Sequence, residues 1–206
     1  MNNLNLIFVH GWGCIPDFWD DLARELSASH EQRINLRFLD EGDIEAATHD
    51  LPAIYITHSL GTMWALKHRL EDISALISIN GFACFKDLSD ERTLKSMKIN
   101  LKRNAPQQMA AFWRQAGLPQ SNSLNIPRLK EGLEWLMTWD YCQELNALTC
   151  PILSLIGEED KIAPFDPMQQ HWYGYDIKTC TDGGHALPAT HTQWCAKHIR
   201  TFIDAL

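Results

Sequence analysis

Six short strand-like segments of four to six residues, four of them mostly apolar and most followed by a turn and a helical pattern, restrict this chain to one broad architecture. Residues 5–9, 34–39, 53–56, 75–79, 152–156 and 177–180 are too short for buried helices and read as core strands. Between them lie amphipathic stretches. Pro16 opens one, with Phe18, Trp19, Leu22 and Leu26 at helical spacing; Met63, Leu66 and Leu70 mark a second. Residues 192–206 form the last, with Trp194, Ile199, Phe202 and Ile203 facing inward. Short strands alternating with helices imply an α/β fold, a mostly parallel sheet of about six strands covered on both faces.

Between residues 82 and 146 the strand pattern stops and only helical stripes remain. Met109, Phe112, Trp113 and Ala116 form one stripe; Leu129, Leu133 and Leu136 form another. This predicts a core made of residues 1–81 and 147–206, with 82–146 inserted as a helical cap. A length of 206 residues suits one such domain. The six cysteines are scattered without a C-x-x-C pair, and the start has neither basic residues nor a long apolar run. Free thiols, a cytoplasmic location and no membrane span are therefore expected. A net charge of −8 argues against nucleic-acid binding. A monomer is assumed.

The strand at 53–56 runs directly into Thr57-His58-Ser59-Leu60-Gly61, and a helical pattern follows. A serine on a sharp strand-to-helix turn is held clear of the sheet, where a base can take its proton and backbone donors can meet an oxyanion. The pattern G-x-S-x-G marks that turn, here with Thr57 at the first glycine. Ser59 as a simple helix cap is the plainer alternative. Three features favour chemistry: the strand-turn-helix context, the glycine-rich His10-Gly11-Trp12-Gly13 after an earlier strand, and the late loops Gly157-Glu158-Glu159-Asp160 and Gly183-Gly184-His185. The chain order is serine, acid, histidine.

Taken together, these motifs resemble the α/β-hydrolase superfamily over nearly the whole chain outside the cap. The resemblance implies Ser59 as nucleophile, His185 as base and Asp160 as the group orienting it. It implies backbone N–H groups of Trp12 and Leu60 as oxyanion donors. Glu158 and Glu159 compete with Asp160 as solvated charges, and His191 competes with His185 from the start of the last helix. His10 is expected to bond loop backbone and His58 to form pocket wall. No close-set ligand spacing suggests a metal, and no cofactor is expected. Two departures from the resemblance stand out: Thr57 places a β-branched side chain in a crowded turn, and a minimal sheet without the first two strands usual in the superfamily is expected.

His-Gly-Trp-Gly with Trp19 downstream, and Gly132-Leu133-Glu134-Trp135-Leu136 followed by Asp140 and Leu145, resemble the pimeloyl-acyl-carrier-protein methyl ester esterases of biotin synthesis. That resemblance implies an acyl ester substrate on an acidic carrier protein. Arg92, Lys95, Lys98, Lys102 and Arg103 lie in a stretch without acidic residues, while the rest of the chain holds 13 basic against 26 acidic side chains. Lys95, Lys98 and Lys102 share one helical face, opposite Leu94, Met97 and Leu101. The strip is either a carrier dock or an ordinary solvated face. Trp12, Trp19, Phe82, Phe112, Trp113 and Leu187 are candidate acyl-pocket walls, or core aromatics and aliphatics. The competing functions are a broad small-ester carboxylesterase or thioesterase, carbon–carbon cleavage or elimination by the same triad, and a binding module that has lost activity.

Overall fold

Strand β1 (Asn5–Val9) is the pivot of the sheet, because it pairs in parallel with β2 (His30–Ile34) on one side and β3 (Ala53–His58) on the other. From β3 the sheet continues through β4 (Ile73–Ile79), β5 (Ile152–Gly157) and β6 (Asp176–Cys180), all parallel. The order is β2-β1-β3-β4-β5-β6. The chain thus moves outward from β1 in both directions, and the loops after β1 and β3 open side by side at the switch point, where open α/β sheets form their sites. The computed structural model describes residues 5–27, 30–44, 53–86 and 88–206.

Alternation along the strands divides the core into two layers. Leu6 and Phe8 of β1 face a layer closed by α1 (Asp20–Leu26), which follows a 3₁₀ turn at Pro16–Trp19. Ile7 and Val9 face the other layer, closed by α2 (Leu60–His68) and by the helical stretch between β4 and β5. That stretch contains α3 (Glu91–Ala116), α4 (Ile126–Thr138) and α5 (Cys142–Ala147). After β5 come α6 (Phe165–His171), the short α7 (Leu187–Thr190) and α8 (Thr192–Ile203), whose Cys195 and Ile199 pack beside α1.

Helix α3 is broken at Asn104, whose backbone lies at φ −155° and ψ 83°. Pro106 cannot donate to the preceding turn, and the Asn104 side chain accepts from Gln107 N at 3.2 Å, so a second helical segment starts there. The lysines precede the break and the Met109–Ala116 stripe follows it.

The second strand departs from expectation: it occupies His30–Ile34 rather than 34–39. An edge strand shows one flank and part of a face to water, so His-Glu-Gln-Arg-Ile is a viable edge. The apolar Leu36, Phe38 and Leu39 are instead buried as irregular chain beneath α4, with Asn125 N bonded to Phe38 O at 3.0 Å.

Tight contact locks α2 onto the sheet. A Cβ at Gly61 would stand 2.3 Å from the Val9 carbonyl oxygen, a backbone atom with no room to retreat. Gly61→Ala is therefore expected to destabilise the fold by about 2–3 kcal/mol. Urea unfolding reads this directly, and an unchanged midpoint would contradict the contact.

Candidate active site

The turn joining β3 to α2 holds Ser59 at φ 53° and ψ −128°, a conformation costly for any residue with a side chain. Its amide is engaged by the Ile79 carbonyl at 3.2 Å, so the end of β4 fixes the turn. Thr57 fits where glycine is usual because its hydroxyl has partners. It lies 2.7 Å from Thr62 Oγ1 and 3.3 Å from the Ile77 carbonyl, and Thr62 Oγ1 is 3.0 Å from Ser78 Oγ. A crowded position has become a buried hydroxyl chain.

Ser59 Oγ lies 3.2 Å from His185 Nε2, and His185 Nδ1 lies 2.7 Å from Asp160 Oδ2. The other oxygen, Asp160 Oδ1, accepts from the amides of Ile162 at 2.7 Å and Ala163 at 3.0 Å. A carboxylate bonded this way favours the tautomer with hydrogen on Nδ1, leaving the Nε2 lone pair for the serine proton. All three residues are buried. Glu158 and Glu159 lie outside this line, contributing only their amides to the carbonyls of Cys180 and Gly183. His191 faces Asp182 at 3.3 Å, away from the serine.

The loop after β1 lies against the same point. A Cβ at Gly11 would be 2.9 Å from Ser59 Cβ, so only glycine permits this approach. Trp12 follows Gly11, and Leu60 opens α2, where first-turn amides have no intrahelical acceptor. His10 anchors the loop: its Nε2 accepts from Leu36 N at 3.0 Å, which leaves the hydrogen on Nδ1 to be donated to Gly11 O at 2.9 Å. Burial holds the His10 pKa at about 4.

One contributor, Asn80, escapes a reading of the sequence, and a second, His58, takes a role other than the pocket wall expected of it. Asn80, at φ 46° after β4, donates to the carbonyls of Gly184 at 2.9 Å and His185 at 3.1 Å, and accepts from Gly157 N at 2.8 Å. It ties the acid loop to the histidine loop. His58 donates from Nε2 to the His185 carbonyl at 2.8 Å. Burial, with His185 nearby, keeps its pKa well below the usual value, and its Nδ1 is buried without a partner. An asparagine followed by glycine at a strand end was the one available signal for Asn80.

Ser59 and His185 form the floor of a cavity whose walls include Trp12, Phe82, Phe112, Leu94, Leu133 and Leu136. Trp19, Trp113 and Leu187 do not line it, which corrects the expected wall. Trp19 packs on Phe8 at 5.3 Å in the other core layer, because the 3₁₀ turn before α1 carries it under the sheet. Leu187 lies in that layer too, against Gly183. Trp113 instead donates from Nε1 to Gly13 O at 2.9 Å, and Trp12 donates from Nε1 to Leu129 O at 2.8 Å. Both bonds join the helical stretch to the loop after β1. On α3, Lys95 pairs with Glu91 at 3.0 Å and Lys98 with Glu134. The strip therefore includes acidic partners that its own stretch of sequence lacks. Among the described residues no helix is long and apolar enough to cross a membrane.

No family model matches the chain. It is 26% identical to the pimeloyl-[acyl-carrier protein] methyl ester esterase of Nitrosomonas europaea, over 82% of this chain and 84% of that one. It is 24% identical to the Xylella fastidiosa protein of the same name, over 98% and 95% respectively. A solved thermophilic esterase from Thermogutta terrifontis superposes with a TM-score of 0.79 at 17% identity, covering 98% of this chain and 90% of that one. The fold is that of the α/β-hydrolases.

His10 gives the loop a pH signature. Its folded pKa of about 4 lies below the unfolded value near 6.5, so its stabilising effect is complete above pH 6.5 and is lost as pH falls toward 4. Unfolding free energy is expected to drop by about 2 kcal/mol between pH 7 and pH 5 from this group, with His58 acting in the same direction. In His10→Gln the slope flattens; an identical slope in both proteins would refute the assignment.

Proposed function

We propose that this chain is a serine ester hydrolase in which Ser59 attacks the acyl carbonyl, His185 moves the proton and Asp160 holds the imidazole. The observation that carries this reading is the unbroken hydrogen-bonded line from Ser59 Oγ through His185 to Asp160, on the floor of an apolar cavity. As Ser59 Oγ bonds to the carbonyl carbon, its proton passes to His185 Nε2, and the charge that appears on the imidazole faces Asp160 Oδ2. The negative charge on the substrate oxygen is received by the amides of Trp12 and Leu60. His185 returns the proton to the departing alkoxide. Water, deprotonated by the same nitrogen, then attacks the acyl-serine, and the acid departs as His185 returns that proton to Ser59 Oγ.

For the substrate, we propose an acyl methyl ester carried on an acyl-carrier protein, the class named for the two curated relatives. The segment 82–146 acts as a cap whose Leu94, Leu133 and Leu136 receive the acyl chain. Arg92, Lys95, Lys98, Lys102 and Arg103 form the docking strip. Their pairs with Glu91 and Glu134 are solvent-exposed, and exposed pairs contribute only about 0–1 kcal/mol, so an incoming carboxylate exchanges for them at little cost. A carboxylesterase acting on small free esters is the competing reading; the same triad serves both.

Hydrolysis of a carrier-bound methyl ester and of a short p-nitrophenyl ester separates them. Ser59→Ala is expected to lower kcat/KM on both by about 10⁴-fold or more, and Asp160→Asn by about 10⁴-fold. Reversing charge at Lys95, Lys98 and Lys102 is expected to lower kcat/KM at least about tenfold at low salt on the carrier-bound ester alone. Full activity of Ser59→Ala would overturn the hydrolase reading. An unchanged carrier-bound rate in the lysine variant would overturn the dock and leave the small-ester reading.

A further inference from the structure

The geometry points to a transition-metal site of the zinc class, built from Cys180, Asp182 and His191 on the segment that carries His185. The sequence suggested no metal, because the spacing C-x-D-x₈-H matches no compact ligand motif. The fold brings the three together: Cys180 ends β6, Asp182 lies in the following turn, and His191 closes the short helix α7. Their ligand atoms all lie within 4.8 Å of one another.

Two of the three separations have the lengths of coordination-polyhedron edges. Cys180 Sγ is 3.6 Å from Asp182 Oδ1, and His191 Nε2 is 3.3 Å from the same oxygen. A tetrahedral ion with bonds of about 2.3 Å to sulfur and about 2.0 Å to oxygen and nitrogen requires edges of roughly 3.5 and 3.3 Å. Both edges are therefore present before any ion arrives. The imidazole is also already aimed: His191 Nδ1 lies 2.9 Å from Thr190 Oγ1, which leaves Nε2 toward the cluster. Cys180 is buried while Asp182 is exposed, so the site has a dry thiol inside and an open approach from solvent.

Thiolate, imidazole and carboxylate together suit zinc or cobalt rather than magnesium or calcium. Binding replaces the Cys180 S–H bond with a metal–sulfur bond and releases one proton. Water completes the fourth position. The ion would staple residues 180–191, and within that loop lie Gly183, Gly184 and His185. It thus fixes the base of the proposed triad from outside the cavity.

Titrating the purified, metal-stripped protein with Co²⁺ tests this without recourse to hydrolysis. The expected result is one thiolate-to-cobalt charge-transfer band saturating at one ion per chain and displaced by Zn²⁺. Zn²⁺ at about 100 times its Kd is expected to raise the melting temperature by roughly 5–10 °C. Cys180→Ser abolishes the band, and His191→Gln and Asp182→Asn each weaken binding at least about tenfold. Asp182 is on the surface, so its variant keeps the packing; Cys150→Ser is the control and binds as wild type. A missing band in the folded wild type, or a band that survives Cys180→Ser, would overturn the site.

Discussion

The structure depends on how closely the loop after β1 and the turn after β3 approach each other. Gly61 seats α2 on the Val9 carbonyl, and Gly11 lets the neighbouring loop touch Ser59. Neither contact survives an added carbon, and Ser59 holds its strained backbone only because both sides press on it. The parallel sheet makes this possible. Because β1 pairs with both β2 and β3, the ends of the neighbouring strands β1 and β3 face one point and leave a crevice between their loops. The histidine and acid arrive from the far half of the sheet, after β6 and β5, and Asn80 draws their loops together.

This arrangement also explains why the helical stretch is more than a lid. Trp113 and Trp12 each span the gap between the loop after β1 and the helices α3 and α4. Gly13, at φ 70°, lies so close to Met109 that a Cβ there would be 2.9 Å from its terminal carbon. These contacts fasten the helices to the loop after β1. The lysines Lys95, Lys98 and Lys102 lie along a surface groove on the same helix whose Leu94 lines the cavity, so the proposed dock and the proposed acyl pocket share one element.

Much of this was legible in the residues themselves. The strands that lie inside the sheet are continuous apolar runs, and β1, β3, β4 and β5 appear where the runs fall, since a buried parallel strand tolerates little else. Ser59, Asp160 and His185 stand out in the sequence because strand ends and glycines frame them, and the structure brings their side chains into one hydrogen-bonded line. The edge strand β2 was missed because its neighbours leave one flank to water, so polar residues suffice, while the apolar stretch beside it serves as buried loop. Trp19, Trp113 and Leu187 show the limit of reading aromatics and aliphatics for a pocket. Each is buried, but which cavity or layer receives it is fixed by helix orientation, which periodicity alone does not give. His58 acts through one bond to a distant carbonyl and Asn80 through three bonds to the acid and histidine loops, and the Cys180 cluster forms only when α7 folds back over the turn after β6. Such contacts leave no spacing to recognise.

The hydrolase reading stands on the reactivity of one hydroxyl. A fluorophosphonate reacts only with a serine whose proton is removed by an aligned base, so its adduct reports the whole hydrogen-bonded line at once. Mass spectrometry of the digested protein is expected to find one phosphonyl group, on the peptide containing Ser59, and none after His185→Ala. A folded wild-type protein that remains unlabelled, or carries the group on another residue, would contradict it.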